Sequence, residues 1–302
     1  MSVLINVVLP VFLVAGVAAL AQRWLHLEAR TLSRAVFYIF GPALVFDSLV
    51  TTAVSAGDIG RIGLTVLATT GLLWLVGITA GWLLHLERPT QAAFLTAILL
   101  ANTGNYGLSV NLFAFGEAGL AWAAVYFTVG SVVTSGLGVY LSAAGRAPAS
   151  LALRRVVTVP ILHAAILGVA FSLAGWQLPE PVAKASHLLG QASVPVMLTV
   201  LGLNLVATFR GESDGVHWPA LATLTALRLV VAPLLTWAVT GFVGLEGLAR
   251  DVTVVESAMP TAVMTIILAN EFESDAPFAS LAVLSTTLAS LVTVTVLLNI
   301  LT

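Results

Sequence analysis

The stretch Ile98–Val110, ILLANTGNYGLSV, decides how the rest of the chain is read. It lies inside an apolar segment, and between Ala101 and Ser109 it places Asn102, Thr103, Gly104, Asn105, Gly107 and Ser109, residues that weaken helix and carry polar groups or bare backbone. In hydrocarbon an unsatisfied peptide group costs on the order of several kcal/mol, so non-helical backbone persists at membrane depth where protein buries it or a wet cavity solvates it. The interruption is therefore a candidate binding site.

Composition places it in a bilayer. The 302 residues are 59% hydrophobic and 9% charged, with a mean hydropathy of +1.04, whereas charged residues make up roughly a quarter of a soluble domain. The net charge of −2 and the lack of a basic tract argue against nucleic acid as a partner and leave the lipid bilayer as the surroundings. With no cysteine, disulfides, thiolate chemistry and Cys-ligated metal are excluded. The opening run Val3–Ala21 ends in Gln22-Arg23 without a small-residue cleavage site and is read as a retained first span, not a signal peptide.

A spanning helix needs about 20 apolar residues. The breaks between apolar runs predict ten spans, at 3–22, 32–52, 60–84, 92–115, 119–142, 154–174, 182–207, 218–243, 250–271 and 277–300. Trp24, Trp82, Trp176 and Trp218 fall at or near span ends, where an indole prefers the headgroup layer. With the N-terminus outside, the inward segments collect eight basic residues (Arg23, Arg30, Arg34, Arg88, Arg146, Arg154, Arg155, Arg210) and the outward ones three (Arg61, Lys184, Arg250). That bias predicts both termini outside the cytoplasm of a cell membrane, inner or plasma.

Two landmarks repeat at nearly constant offset. Pro42 corresponds to Pro195, 153 residues on, and Asn105 to Pro260, 155 residues on. This predicts two five-span repeats, 1–142 and 154–302, joined by a cytoplasmic linker over 143–153. Five is odd, so the second repeat enters the membrane inverted, the plan of many secondary transporters. The ninth span, with VVESAMPTAVM, carries Pro260 at mid-span beside Ser257 and Thr261. The proline ring removes a donor and breaks the helix. Paired interruptions in corresponding spans point to a midplane site, whereas Pro195 and Pro233 are read as simple kinks.

At these residues the sequence resembles the auxin efflux carrier family, which includes plant auxin exporters and bacterial carriers of malonate, malate and similar acids. The likeness runs through VLPVFLVAGVAAL, LSRAVFYIFGPALVFDSL, VPILHAAILG, ASVPVMLTVLGLNL and SAMPTAVMTIILANEF, with Asn102-Thr103, Tyr106-Gly107 and Met259-Pro260 the most specific parts. The resemblance implies an all-α, ten-helix sodium/proton antiporter-like fold. Spans 1, 2, 6 and 7 would form a scaffold and spans 3–5 and 8–10 a mobile transport domain, with spans 4 and 9 unwound where they cross. It implies elevator-type alternating access for a small organic anion, with Asn102 facing substrate and Pro260 at the crossover. Ser109 and Ala101 stand where family members carry proline, so the fourth-span break here depends on glycine and polar residues. Asn270 replaces the lysine of plant members before Glu271-Phe272.

Asn102, Thr103, Asn105, Tyr106, Ser257, Pro260 and Thr261 are thus the expected substrate-binding set. Half-helix N-termini suit a carboxylate, and the Asn102 amide would orient it without a fixed charge. Asp47, His163, Arg228 and Glu256 are the ionisable residues well inside spans. Such groups are costly there and face a cavity or a partner. Asp47 is read as equally suited to the outer headgroups and to function, and His163 as structural. Gln191 and Asn204 are read as interhelical hydrogen-bonding groups.

For Glu256, one turn before Pro260, two partners are open: an ion pair with Arg228, or a bound cation. The stretch Glu256-Ser257-Ala258-Met259 resembles the Glu-x-x-Met of sodium-coupled bile-acid symporters, in which that glutamate binds sodium. On that likeness Na+ would sit among Glu256, Asn105 and Thr128 or Ser131, with H+ on the same carboxylate as the other coupling ion. The auxin-carrier likeness points away from sodium. No other cofactor is expected, and a homodimer is the candidate assembly. An enzyme is disfavoured because no paired-histidine metal motif or membrane-embedded Ser/His pair is present. A channel or a transporter-like sensor remains as the rival to a carrier.

Overall fold

The structure, a computed structural model, describes residues 3–52, 54–142, 158–209, 217–271 and 273–301. The expected linker 143–153 lies outside the described residues. The described chain is helical, without a strand, and follows the apolar runs: α1 (Leu4–Leu25), α2 (Ala29–Thr51), α3 (Ala56–Leu83), α4 (Arg88–Leu99), α5 (Thr103–Leu108 continuing into Ser109–Ser142), α6 (Pro160–Ala174), α7 (Glu180–Phe209), α8 (Trp218–Val243), α9 (Gly247–Ser257), α10 (Met264–Glu271) and α11 (Ala276–Leu301). Among the described residues, seven helices are long and apolar enough to cross a membrane. Trp24, Trp82, Trp176 and Trp218, at their ends, are exposed.

Local chemistry sets the ends. Ser55 caps α3 by accepting from the Asp58 backbone N–H at 3.4 Å, and α6 stops at Gly175 in the left-handed region. Inside α5, Gly116 (φ 68°, ψ −160°) bends the chain between the fourth and fifth apolar runs. Three prolines have an effect that simple kinks do not describe. The wide π turns Leu4–Val8, Val36–Phe40 and Leu227–Val231 each end two residues before a proline: Pro10, Pro42 and Pro233. A proline has no N–H and its ring clashes with the carbonyl four residues back, and a widened turn relieves both.

The helices fall into two packed groups. α1 lies along α7, and the second part of α2 packs on α6 and α7. Contact there is close: a Cβ on Gly202 of α7 would collide with the Ala15 carbonyl of α1, and one on Gly168 of α6 would press on Leu49 and Phe46 of α2. In the second group, α3 packs on α4 and α8, α11 on α4, α8 and α10, and α9 on α5. The groups also pack on each other, α2 and α6 against α5 and α7 against the start of α5 and α11, and the Tyr106 ring stands edge-on to Phe12 of α1 with centroids 5.8 Å apart.

Candidate substrate site at the helix crossing

Two broken helices cross in the second group. α4 stops at Leu99 and helix resumes at Thr103; α9 stops at Ser257 and helix resumes at Met264. The intervening extended segments pair antiparallel through a single bridge at Ala101 and Thr261. Asn102 N–H donates to the Pro260 carbonyl at 2.7 Å, and Ala262 N–H to the Leu100 carbonyl at 2.8 Å. The proline cannot donate, so its carbonyl serves the pairing. The first break is shorter than the sequence implied. Residues 103–108 are helical because a wide turn, with Gly107 N–H donating to the Asn102 carbonyl at 3.0 Å, accommodates the glycine-rich stretch.

Side chains stitch the crossing. Thr261 Oγ donates to the Ala97 carbonyl at 2.9 Å, and its N–H donates to Thr286 Oγ at 3.1 Å. Ser257 Oγ donates to the Val254 carbonyl at 2.7 Å, and Ser290 Oγ donates to the Tyr106 hydroxyl at 3.2 Å. Tyr106, Ser257 and Thr261 are buried and committed to protein contacts. By contrast, the side-chain amides of Asn102 and Asn105 have no protein partner among the described residues. Asn102 does not cap α5, and the N–H groups of Thr103, Gly104 and Asn105 have no acceptor there. A helix N-terminus left this way carries free donors and about half a positive charge.

The ionisable residues are not arranged as the ion-pair alternative has it. Arg228 does not pair with Glu256. Its Nη1 donates to the Ile98 carbonyl at 2.6 Å and its Nη2 to the Ser257 carbonyl, at the C-terminal ends of α4 and α9. The partner of Glu256 is Asn111, whose Nδ2 donates to Oε1 at 2.9 Å and to the Gly107 carbonyl at 3.0 Å. Glu256 Oε2, Asn111 Oδ1 and Arg228 Nε are buried without a partner. Thr128 donates to the Ala124 carbonyl and Ser131 to the Phe127 carbonyl, both on their own helix at 2.7 Å.

Sequence reading passed over Asn111, Thr286 and Ser290. A signal existed: Asn111 lies four residues after Gly107, and Ser290 four after Thr286, so each pair shares a helix face. Elsewhere, His163 Nδ1 meets the Val159 carbonyl of its own first turn at 3.1 Å. Asp47 Oδ2 lies 2.9 Å from His187 Nδ1, joining α2 to α7. Gln191 bonds His187 within α7, at 2.8 Å, instead of reaching another helix; residues four apart share a helix face.

A multi-pass helical membrane protein with two crossed half-helices is the architecture on which the comparisons bear. The family described as membrane transport protein matches residues 3–149 and 146–298, and the chain belongs to that family, which includes the auxin efflux carriers. An uncharacterized transporter of Methanothermobacter thermautotrophicus is 32% identical over 88% of this chain and 86% of its own. Auxin efflux carrier component 1 of Arabidopsis thaliana is 26% identical over 43% of this chain and 21% of its own. A Rhizobium meliloti protein provisionally named a malonate transporter is 24% identical over 87% of this chain and 84% of its own.

Proposed function

We propose that this membrane transporter is a secondary carrier of small organic anions, with a mono- or dicarboxylate of malonate, malate or auxin-like type as substrate. The observation that carries the reading is the set of unused donors at the crossing: the Asn102 and Asn105 amides beside the uncapped start of α5. These suit a carboxylate, and no acidic side chain is bonded to them. Binding involves Asn102, Thr103 and Asn105, while Tyr106, Ser257, Pro260 and Thr261 hold the crossing in shape.

In this reading α1, α2, α6 and α7 are the scaffold, and the second packed group moves against them as an elevator. The packing of α1 on α7 and of α2 on α6 and α7 as one unit supports it. The chain makes ten crossings when α4 with the start of α5, and α9 with α10, each count as one broken span. The two repeats are inverted, with both termini outside the cytoplasm of the cell membrane.

The test is a thermal-shift panel of malonate, malate and indole-3-acetate on purified wild type and Asn102→Ala, followed by flux in proteoliposomes. Binding of N but not U raises the midpoint as RT ln(1 + [L]/Kd). A carboxylate should stabilise wild type and not the variant. If none of the acids shifts wild type, or if all shift Asn102→Ala equally, the site is wrong; unsaturable flux would indicate a channel, and binding without flux a sensor.

One observation favours ion coupling as a second reading. Glu256 Oε2 and Asn111 Oδ1 are buried acceptors without a donor, and a proton or a sodium ion there satisfies them. Substrate affinity in sodium against choline, for wild type and Glu256→Gln, decides between coupling ions. Dependence lost in the variant supports sodium, and indifference in wild type removes it.

A further inference from the structure

We propose that Arg228 is a tethered counter-cation that occupies the place a crossed-helix fold offers to a free ion, and that it positions the crossing for substrate. Arg228 is 3% exposed and makes no ion pair among the described residues. Its two terminal nitrogens instead donate to the Ile98 and Ser257 carbonyls, the last turns of α4 and α9. Each helix C-terminus carries about half a negative charge. Two such ends together call for about one positive charge, and Arg228 supplies it. In transporters with broken helices these C-terminal ends and unwound carbonyls are where a coupling cation is coordinated. Here that cation is part of the chain, and it arises from α8, so α8 is locked to both half-helices and the three move together. The planar fork explains why the residue is arginine: two donors in one plane reach two carbonyls at once, which a lysine ammonium does with poorer geometry.

The inference concerns the same crossing as the carrier reading and rests on it for the transport arm alone. The experiment is chemical rescue. In Arg228→Ala the thermal midpoint should fall, and millimolar guanidinium chloride should restore part of it, whereas choline chloride at the same ionic strength should not. Wild type should be indifferent to both salts. Malonate-induced stabilisation and malonate flux should be lost in Arg228→Ala and return with guanidinium. An unchanged midpoint in the variant, or a loss that no cation recovers, or equal recovery in choline, overturns the proposal. If Arg228→Ala does not fold, Arg228→Lys and Arg228→Gln decide: Lys should retain more stability than Gln, and the reverse order overturns it. Should wild type show no malonate shift while the guanidinium rescue of the midpoint stands, the substrate assignment fails and the counter-cation survives.

Discussion

Gly107→Ala tests the packing at the crossing directly. A Cβ built on Gly107 would meet both carboxylate oxygens and Cδ of Glu256 well inside van der Waals contact. Glu256 is fully buried and held by Asn111 at 2.9 Å. To admit the methyl group the carboxylate has to leave that bond and find space that the packed interior does not provide. Overpacking of this kind costs about 1–3 kcal/mol, and the lost hydrogen bond to a buried carboxyl adds about 1–3 kcal/mol. Against this, alanine in a helix interior gains roughly 0.5–1 kcal/mol over glycine. The net expectation is a loss of about 2–4 kcal/mol. Gly130→Ala on the same helix is the control. Nothing lies within 4 Å of its Cβ, so it should be neutral or slightly stabilising. The assay is thermal unfolding in detergent, repeated in a Glu256→Ala background that opens the space. If collision is the cause, the cost of Gly107→Ala should shrink by at least about 1 kcal/mol there. An equal cost in both backgrounds would refute the argument.

Three other expectations are simpler. Pro260→Ala should lower flux by letting the broken helix close up, while leaving the protein folded; normal flux would remove the proline from the mechanism. Thr261→Val deletes the bond to the Ala97 carbonyl while keeping the shape, and should cost about 0.6–1.7 kcal/mol in thermal unfolding; no measurable change would mean that the backbone pairing alone holds the crossing. Reporters placed near Pro148 and after Thr302 should lie on opposite sides of the membrane; the same side for both would end the inverted ten-crossing reading.

The helices were legible because a bilayer demands continuous apolar runs, and the two breaks because polar and proline residues stand out against them. Less legible was where each break ends. Thr103 to Leu108 read as unwound, yet a wide turn closed by Gly107 on the Asn102 carbonyl keeps them helical. Hydrogen-bond partners were the least legible. An ion pair with Arg228 was one of the two partners open to Glu256, because opposite charges in hydrocarbon often meet. The carbonyls of Ile98 and Ser257 compete for the guanidinium, and nothing in a residue list shows that two helix ends converge on one side chain. Asn111 was overlooked because a single asparagine in an apolar run resembles an ordinary interhelical contact.

If the crossing binds an anion as proposed, its electrostatics would link that anion to a coupling ion. Arg228 accounts for the negative ends of α4 and α9, and the start of α5 keeps its positive end. An ionised Glu256 opposes an anion there. Its carboxylate lies against Gly107, two to four residues from the free N–H groups of Thr103, Gly104 and Asn105, about 3–6 Å along the helix at 1.5 Å rise per residue, so that an anion a hydrogen-bond length of about 3 Å beyond those groups is roughly 8 Å away. At an effective dielectric constant of about 20, two like charges 8 Å apart repel by about 2 kcal/mol, roughly thirtyfold in affinity. A proton or sodium ion on Glu256 removes that repulsion, and by linkage the anion in turn tightens the cation. Affinity for malonate should therefore rise in wild type as pH falls, or as sodium is added at fixed pH. Glu256→Gln, with the charge gone and the Asn111 bond retained, should bind with high affinity throughout. Isothermal titration over a pH series, in sodium and in choline, reads this out. A Glu256→Gln protein that binds malonate no better than wild type at high pH without sodium would show that Glu256 does not govern the anion.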